Sequence, residues 1–364
     1  MESRRDYLKK IGLGALALNL PPIYASENER IIDIRLDTDK IYLNANENPY
    51  GPSPLSKKAM MESISNSNRY GWSQKPKLIE AIAAYNKVAK ETIILGSGST
   101  EILNLVLHYA AQQKGNIVTA DNTFNFWMSP AKNLGLEKIS VPLTADKKND
   151  LGALKKAVTS ETRLVYVCNP NNPTGTITDS NELLNFVREV SKNRLVLLDE
   201  AYIDLTDQKS LSTLASENEN LIIAKTFSKL FGLAGARIGY AVAHPKTIKK
   251  LSGLQSWSNG DVSVVSTAGA LAALEDVNFI KDTFELNASA RSYSIAQFEK
   301  LNIKCIPSHT NFIYFSLENY KGQFFERLKA NNIVGTRIYE KEGKWSRITV
   351  GRLEDMKTLV RALS

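Results

Sequence analysis

The sequence contains few of the residue types that build cross-linked or metal-held structures. It has two cysteines and three histidines among 364 residues. Cys168 and Cys305 cannot form a disulfide framework, and Cys168 stands in an apolar run where a small buried side chain is expected. The histidines, at positions 108, 244 and 309, are not spaced to chelate a metal ion. These scarcities exclude a disulfide-stapled fold, and no metal site is predicted.

The sequence also lacks a long block of charge of one sign. Lys and Arg number 46 against 38 Asp and Glu, which gives a net charge of +8 and a pI near 9.2. The basic residues come as scattered pairs, such as the lysines at 57–58 and 249–250, and not as a continuous patch. A nucleic-acid partner is therefore not predicted. The length is typical of about two domains with a substantial core.

The first 26 residues have the layout of an export signal. The head Ser3-Arg4-Arg5-Asp6-Tyr7-Leu8-Lys9 resembles the Ser-Arg-Arg-x-Phe-Leu-Lys signal of the twin-arginine pathway, with Tyr7 in place of Phe. The apolar stretch at residues 11–20 is too short to span a bilayer, so no stable membrane span is predicted. Residues 1–26 therefore predict a protein that is periplasmic or otherwise exported. Because a clean Ala-x-Ala cleavage site is lacking, the alternative is an amphipathic arm on a cytoplasmic protein.

Short apolar, β-branched runs alternate with helical patterns after this segment. The runs predict strands at residues 92–95, 116–120, 138–141, 164–168, 195–198, 221–224 and 238–243. Apolar residues at i, i+3 and i+4 predict helices at residues 101–111, 126–134 and 182–191. Strands that alternate with helices in this way predict an α/β fold whose mostly parallel central sheet is covered by helices on both faces.

The pattern changes near residue 245. Long helical patterns follow, with short strands predicted at residues 313–315 and 347–350, which indicates a second, smaller α+β domain. We therefore predict a large domain over residues 46–250. The small domain is predicted to consist of residues 27–45 and 251–364.

Polar side chains follow four of the predicted strands, where ligands bind in sheets of this kind. The four segments, 96–101, 169–175, 199–202 and 225–229, supply amides, a carboxylate, a phenol, hydroxyls and an amine. Glu101 stands where a dinucleotide fingerprint needs its third glycine, so the first segment favours a single phosphate at a helix N-terminus. Asp199 ends an apolar strand without a basic neighbour on it, which favours a cationic ligand. Lys229 lies among apolar residues, which can depress its pKa and make it a nucleophile.

Three of these motifs, in order and at matching spacing, resemble the pyridoxal-phosphate-dependent aminotransferases of fold type I. They are Asn171-Asn172-Pro173-Thr174-Gly175, Asp199-Glu200-Ala201-Tyr202 and Ser228-Lys229 with Arg237 eight residues on. The chain is most similar to the histidinol-phosphate aminotransferases, from residue 43 to residue 351. The resemblance implies a pyridoxal 5'-phosphate cofactor. It also implies transfer of an amino group between an amino acid or amino alcohol phosphate and a 2-oxo acid, expected to be 2-oxoglutarate.

The resemblance assigns roles around the cofactor ring to five residues. Lys229 would bond covalently to the cofactor aldehyde and then move the substrate proton. Asp199 would pair with the pyridinium nitrogen and keep it protonated. Asn172 and Tyr202 would hydrogen-bond the phenolic oxygen of the ring. Phe124 would stack on the ring, where the family usually has a Tyr.

The resemblance also assigns five residues to the cofactor phosphate. The backbone N–H groups of Ser99 and Thr100 are expected to bind it at a helix N-terminus. The side chains of Ser228, Thr226 and Arg237 are expected to complete the site.

Substrate contacts and one contact between subunits follow from the same resemblance. Arg347 is expected to bind a substrate carboxylate or phosphate, with Asn46 and Arg337 as further substrate-binding residues. The spacing around Arg337 is shifted relative to the usual pattern of the family. Tyr70 matches a tyrosine that reaches the phosphate of the neighbouring subunit, which implies a homodimer with shared active sites.

Two other classes of protein would keep the same cofactor residues. A lyase or decarboxylase, such as the threonine-phosphate decarboxylases, would differ in which bond to the substrate α-carbon breaks. A non-catalytic cofactor-binding module of a transcription regulator would need a DNA-binding domain, and no helix-turn-helix extension is predicted before residue 27. Histidinol phosphate is made inside the cell, whereas the N-terminus predicts export, so the identity of the substrate stays open.

Overall fold

The computed structural model describes residues 39–256 and 262–364. The predicted export signal at residues 1–26 lies outside the described residues. The strands, in chain order, are β1 (Ile41–Tyr42), β2 (Ile93–Gly96), β3 (Gly115–Ala120), β4 (Leu136–Val141), β5 (Thr162–Cys168), β6 (Leu195–Asp199), β7 (Leu221–Thr226), β8 (Gly239–Val242), β9 (Lys304–Cys305), β10 (Phe312–Ser316), β11 (Ile333–Val334), β12 (Ile338–Glu340) and β13 (Trp345–Thr349).

The same ranges contain eleven α-helices. They are α1 (Pro54–Ser63), α2 (Gln74–Asn86), α3 (Ser99–Ala110), α4 (Leu151–Ala157), α5 (Ser180–Val190), α6 (Ser212–Glu217), α7 (Pro245–Ser252), α8 (Val264–Glu275), α9 (Val277–Lys300), α10 (Phe324–Ala330) and α11 (Leu353–Leu363). Side-chain caps start several of them. Ser53 and Asp179, for example, accept backbone N–H bonds at the first turns of α1 and α5.

Seven strands form the main sheet, in the order β2-β8-β7-β6-β5-β3-β4. Strands β3, β4, β5, β6 and β7 pair in parallel, and β8 is antiparallel to both of its neighbours, β2 and β7. Six strands therefore point the same way, and their carboxyl ends meet at one edge of the sheet. Because β8 runs in the opposite direction, its amino end lies at that same edge.

The seven strands of this sheet are the seven predicted from apolar runs, within a few residues at their ends. The prediction of an α/β fold with a mostly parallel sheet is confirmed. The predicted helix over residues 126–134 is wrong, because two short 3₁₀ turns, Phe126–Met128 and Lys132–Leu134, stand there instead. Pro130 lies between the two turns and has no N–H for an α-helical hydrogen bond.

Helices cover both faces of the main sheet because its strands are apolar on both sides. Along β5, Val165 and Val167 face one core layer, whereas Leu164 and Tyr166 face the other. Helix α2 contributes to the first layer and α3 to the second. Burial on both faces explains why the strands read as continuous apolar runs.

A second, antiparallel sheet has the strand order β12-β13-β10-β9, and β1 pairs in parallel with β11. Helices α9, α10 and α11 pack with it around a separate core that includes Phe298, Phe315 and Leu359. Strands β10 and β13 match the two predicted near residues 313 and 347. Helix α8, by contrast, packs against α1 and α2. The predicted domain limits, near residues 45 and 250, stay a prediction.

None of the helices in residues 39–256 and 262–364 has the length and apolar character needed to span a bilayer. Nor do these ranges bring three or more His, Cys, Asp or Glu side chains into a group that could hold a metal ion.

Candidate active site

The edge of the sheet where six carboxyl ends meet carries predicted site residues from six neighbouring strands. Across the sheet they arrive in this order: Ser99 and Thr100 after β2, Arg237 before β8, Ser228 and Lys229 after β7, Asp199 and Tyr202 at the end of β6, Asn172 after β5, and Phe124 after β3. The strand order therefore separates an anion-binding group at β2, β8 and β7 from the carboxylate and amides at β6 and β5.

One cavity of about 220 Å³ lies at this edge. Twelve of the residues predicted for the site line it: Asn46, Ser99, Thr100, Phe124, Asn172, Asp199, Tyr202, Thr226, Ser228, Lys229, Arg237 and Arg347. Ala45, Cys168 and Ala201 complete the lining. Residues far apart in the chain are thus gathered around a volume that suits a small ligand.

Lys229 follows β7 in an irregular segment and points its amine into the cavity wall. The Nζ atom donates a hydrogen bond to the Asn46 carbonyl at 3.1 Å and lies 5.4 Å from the centre of the Tyr202 ring. Burial and the neighbouring Arg347 charge lower the pKa of the amine to about 8. About one tenth of Lys229 is therefore uncharged at pH 7, in the form that a nucleophile or base requires.

Asp199 is a buried carboxylate at the end of β6. The Tyr166 hydroxyl donates to its Oδ2 at 3.0 Å, and the Ala201 N–H donates to its Oδ1 at 3.0 Å. Burial raises the pKa of the carboxyl to about 6, against the opposite effects of the Tyr166 bond and the Lys229 charge. Because these hydrogen-bond donors are neutral, the carboxylate remains suited to a cationic ligand.

The Tyr202 hydroxyl is held by two amides. It accepts hydrogen bonds from Nδ2 of Asn46 at 3.0 Å and from Nδ2 of Asn172 at 3.3 Å. Burial raises the pKa of this phenol, so it stays protonated. With its lone pairs engaged by the two amides, Tyr202 can donate its own proton to an anionic oxygen in the cavity.

Two glycines open the N-terminus of α3 to an anion. Gly98, which precedes the helix, has φ 80° and ψ 166°, a region that only glycine adopts readily. A Cβ atom there would lie 2.3 Å from Nη2 of Arg237, and one at Gly239 would lie 2.5 Å from the Ser99 nitrogen. Glycine at both positions therefore lets the Arg237 guanidinium and β8 approach the first N–H groups of the helix. Those N–H groups have no intrahelical acceptor and attract negative charge.

Two hydroxyls complete this anion-binding group. Thr226 donates to the Ser228 hydroxyl at 2.9 Å, and the Ser228 N–H donates back to the Thr226 hydroxyl at 3.1 Å. Both residues are buried, and they lie three residues and one residue before Lys229 in the chain. Hydroxyls, a guanidinium and a helix N-terminus together suit a phosphate.

Arg347 reaches the cavity from β13 of the second sheet. Its Nη1 donates to Oδ1 of Asn172 at 2.7 Å, and its Nη2 donates to the Asn44 carbonyl at 3.0 Å. The guanidinium lies 5.3 Å from the ring centres of both Phe312 and Tyr339. Within the described residues its buried Nε has no hydrogen-bond partner and no carboxylate forms an ion pair with it. Arg347 is thus a fixed positive charge that suits a substrate anion.

Two of the predicted residues do not line the cavity. Tyr70 is 66% exposed, and its ring stacks on that of Trp72 with the centroids 5.7 Å apart. Arg337 is exposed before β12, with its guanidinium 5.4 Å from the Tyr339 ring centre. The roles given to Tyr70 and Arg337 by the resemblance stay predictions.

The sequence reasoning missed Tyr166 and Tyr339. Cys168 of β5 pairs with Asp199 of β6, and Tyr166 lies two residues before Cys168, so its side chain is on the same face as the carboxylate. The presence of Tyr166, a hydroxyl-bearing residue, inside an otherwise aliphatic run could have indicated a hydrogen-bonding role. Tyr339 lies outside every motif, and nothing in the sequence pointed to its contact with Arg347.

The residues present fit pyridoxal phosphate. Asp199 is a buried carboxylate with no cationic hydrogen-bond partner among the described residues, which suits the pyridinium nitrogen, and an amide and a phenol suit the ring oxygen. The lysine suits the aldehyde, and the glycine-lined helix N-terminus suits the phosphate. The fold and the site together define a pyridoxal-phosphate-dependent enzyme of fold type I.

Comparisons with known proteins show which family of these enzymes the chain resembles. The sequence matches the aminotransferase class I and II family over residues 38–363. It is 37% identical over 330 residues to the histidinol-phosphate aminotransferase of Moorella thermoacetica, covering 89% of this chain and 85% of that protein. The corresponding enzyme of Brevibacillus brevis is 33% identical over 350 residues, which cover 94% of this chain and 95% of that protein.

A solved structure agrees with the sequence comparisons. The fold superposes on histidinol-phosphate aminotransferase from Sinorhizobium meliloti, in complex with pyridoxal-5'-phosphate, with a TM-score of 0.82. The two sequences are 25% identical, and the match covers 89% of each chain. The chain belongs to the class I and II aminotransferases and is a pyridoxal-phosphate-dependent enzyme of that family. The predictions of fold, cofactor and enzyme class are confirmed.

Proposed function

We propose that this aminotransferase moves an amino group between 2-oxoglutarate and L-histidinol phosphate or a closely similar amino acid or amino alcohol phosphate. The observation that carries this assignment is the buried guanidinium of Arg347, which Asn172 and Asn44 hold at the cavity wall. Arg337 packs on the same Tyr339 ring as Arg347, and two cations on one ring favour a doubly charged group such as a phosphate ester. The names of the relatives support the same substrate.

Side chains of this protein supply the proton transfers and the charge stabilisation. Pyridoxal phosphate, when bound, supplies an electron-withdrawing ring that takes up the electron pair of the substrate's α C–H bond. Lys229, with a pKa near 8, can accept that proton at Nζ and return it. Asp199 would hold a proton on the ring nitrogen through its negative charge. Tyr202 and Asn172 would donate hydrogen bonds to the ring oxygen, which would stabilise its anion.

The alternative activity is that of a decarboxylase of the same fold, which is less well supported because the relatives are aminotransferases. To distinguish the two activities, the cofactor-loaded protein is incubated with L-histidinol phosphate and 2-oxoglutarate, and glutamate and CO₂ are both measured. Glutamate should form without CO₂ release. CO₂ release without glutamate would contradict the proposed function. Lys229→Ala should abolish glutamate formation and the visible absorption of the bound cofactor, whereas the exposed Lys209→Ala should keep both.

Phosphate recognition needs a separate test. The rate with L-histidinol phosphate is compared with that of L-histidinol, which lacks only the phosphate. We expect a kcat/KM at least about a hundredfold higher for the phosphate ester, because charge-assisted hydrogen bonds contribute about 1.5–3 kcal/mol each. Equal values for the two donors would contradict the proposed substrate class and leave the transaminase assignment intact.

The active form is a homodimer whose subunits share each active site. In support, Tyr70 and Trp72 stack on each other while remaining 66% and 68% exposed, and Met61 and Ile64 just before them are also exposed. Exposed apolar residues concentrated in one segment are typical of an interface. Light scattering should give the mass of two chains.

Mixed dimers test the sharing directly. Lys229→Ala and Tyr70→Ala chains are co-expressed with different tags, and the mixed dimer is purified. If Tyr70 acts across the interface, the mixed dimer has one site with both residues intact and should exceed the activity of either parent variant. Activity no higher than that of the Tyr70→Ala parent would overturn the sharing of sites.

Export by a twin-arginine signal at residues 1–26 is proposed from the sequence. The paired residues Arg4 and Arg5 are its support. Changing both to Lys should reduce the fraction of the protein outside the cytoplasm, whereas changing Lys9 and Lys10 to Arg should not. An unchanged exported fraction in the first variant would contradict the twin-arginine signal.

A further inference from the structure

We propose that Glu340 is a positioning residue that holds Tyr339, and through it the Arg347 guanidinium, where the substrate's anionic group binds. This role rests on the proposed function of Arg347 as the substrate anchor. Glu340 lies outside the cavity and outside every motif, and it acts through other residues.

The Glu340 carboxylate receives three hydrogen bonds from separate parts of the chain. Lys147 Nζ donates to Oε2 at 2.7 Å, while Asn122 Nδ2 and the Tyr314 hydroxyl donate to Oε1 at 2.8 Å and 2.5 Å. Asn122 and Lys147 belong to the loops after β3 and β4 of the main sheet, whereas Tyr314 and Glu340 belong to the second sheet. An ionised carboxylate can accept from all three donors at once, so Glu340 ties the two sheets together.

Tyr339 is placed next to Glu340 by an irregularity in β12. Ile338 pairs with Ser346 and Glu340 pairs with Trp345, so three residues of β12 face two of β13. An extra residue of this kind turns its side chain away from the regular alternation of a strand. Fixing Glu340 therefore fixes the direction of the Tyr339 side chain.

The Tyr339 ring is a platform for the two arginines assigned to the substrate. Its centre lies 5.3 Å from the Arg347 guanidinium and 5.4 Å from that of Arg337. The Tyr314 ring packs edge-on against Tyr339 with the centroids 6.3 Å apart, while the Tyr314 hydroxyl bonds Glu340. Glu340 thus controls both the backbone beside Tyr339 and the ring packed against it.

A second route joins Glu340 to Arg347 from the other side. Asn122, one of the donors to Glu340, accepts a hydrogen bond at its carbonyl from Asn171 Nδ2 at 3.0 Å. The next residue, Asn172, accepts from Arg347 Nη1 at 2.7 Å. The Arg347 guanidinium therefore lies between the Tyr339 ring and the Asn172 side chain, each of which is linked to Glu340. Loss of the Glu340 charge should loosen both.

The test compares Glu340→Gln with Glu342→Gln, which removes the same charge two residues away at an exposed position. The half-reaction with L-glutamate is followed through the cofactor absorption. Glu340→Gln should raise the half-saturating concentration about tenfold and change the maximal rate less than about twofold, because loss of a coupling contact alters affinity by roughly 0.5–2 kcal/mol. Glu342→Gln should leave both unchanged. Lys147→Met should also raise the half-saturating concentration more than it changes the maximal rate, but by a smaller factor. In the double variant its effect should not add to that of Glu340→Gln.

Two readouts distinguish positioning from a merely structural role. A half-saturating concentration that stays unchanged in Glu340→Gln would overturn the inference, whatever happens to the melting temperature or the maximal rate. The crystal structure of the cofactor-loaded variant is independent of activity. A Tyr339 ring still 5.3 Å from Arg347 there would also overturn it. If the wild-type enzyme does not react with glutamate, the proposed acceptor fails, and the crystal structure alone decides the role of Glu340.

Discussion

The Tyr166 hydroxyl donates a hydrogen bond to Oδ2 of Asp199 at 3.0 Å from the neighbouring strand of the main sheet. Burial raises the pKa of the Asp199 carboxyl from 3.8 to about 6, and this hydrogen bond opposes the rise. Asp199 is therefore an anion at neutral pH inside the sheet, as a partner for the pyridinium nitrogen must be. In the cofactor-free protein that buried charge is destabilising.

The first prediction concerns stability against pH in the cofactor-free protein. Because the folded pKa of Asp199 lies above the unfolded one, the folded state binds more protons between about pH 4 and pH 6, and stability is lost as the pH rises through that window. Asp199→Asn removes the charge but leaves one acceptor oxygen for the two donors, Tyr166 and the Ala201 N–H. Relative to wild type, the variant should therefore gain roughly 3 kcal/mol of stability between about pH 4 and about pH 8, on top of a pH-independent cost of the lost hydrogen bond. Urea unfolding at the two pH values measures the free energy of unfolding of each protein. The exposed Asp207→Asn, as a control, should show no such dependence on pH. An equal change in stability at both pH values would contradict the raised pKa of Asp199.

The second prediction separates two residues that are proposed to contact the cofactor ring. Asp199→Ala removes the charge expected to hold the ring-nitrogen proton and should lower kcat/KM by about 10³-fold or more. Phe124→Leu removes a stacking surface and should cost about tenfold at most. Steady-state kinetics at saturating cofactor compares them, and equal losses would tell against these roles.

The third prediction concerns the glycine beside the phosphate site. Gly98→Ala should weaken pyridoxal phosphate binding about tenfold or more, because the new Cβ meets the Arg237 guanidinium and φ 80° is strained for alanine. Gly235→Ala is the matched control, since its Cβ would meet no atom of the described residues within 4 Å. Fluorescence titration of the cofactor-free proteins gives both affinities. Arg237→Gln should reproduce the Gly98→Ala effect, and an unchanged affinity in that variant would exclude Arg237 from the phosphate site.

The fourth prediction concerns Arg347, the arginine proposed to bind the substrate. Arg347→Lys keeps the charge but loses the planar set of donors, so KM for L-glutamate should rise about 10- to 100-fold. The exposed Arg361→Lys of α11 should leave KM unchanged. A KM unaffected by Arg347→Lys would mean that the carboxylate binds elsewhere.

The sequence by itself determined the main sheet and most residues of the site. The runs at residues 164–168 of β5 and 195–198 of β6 contain no charged residue and are almost entirely apolar, and only a strand covered on both faces buries them fully. Asp199 and Lys229 follow such strands, and the carboxyl ends of parallel strands meet at one edge, so their convergence could be predicted. The helix predicted over residues 126–134 failed because Pro130 overrides the apolar periodicity.

Only the tertiary structure decided which side chains meet across elements. Tyr166 reaches Asp199 because β5 lies beside β6 in a particular register, and no local pattern encodes that pairing. Arg347 and Tyr339 come from a separate sheet, and Glu340 bonds Asn122 more than two hundred residues away in the chain. Local propensities set each strand and turn, whereas strand order, register and the packing of the two sheets depend on contacts distant in sequence. Those contacts decide how the cavity binds its substrate.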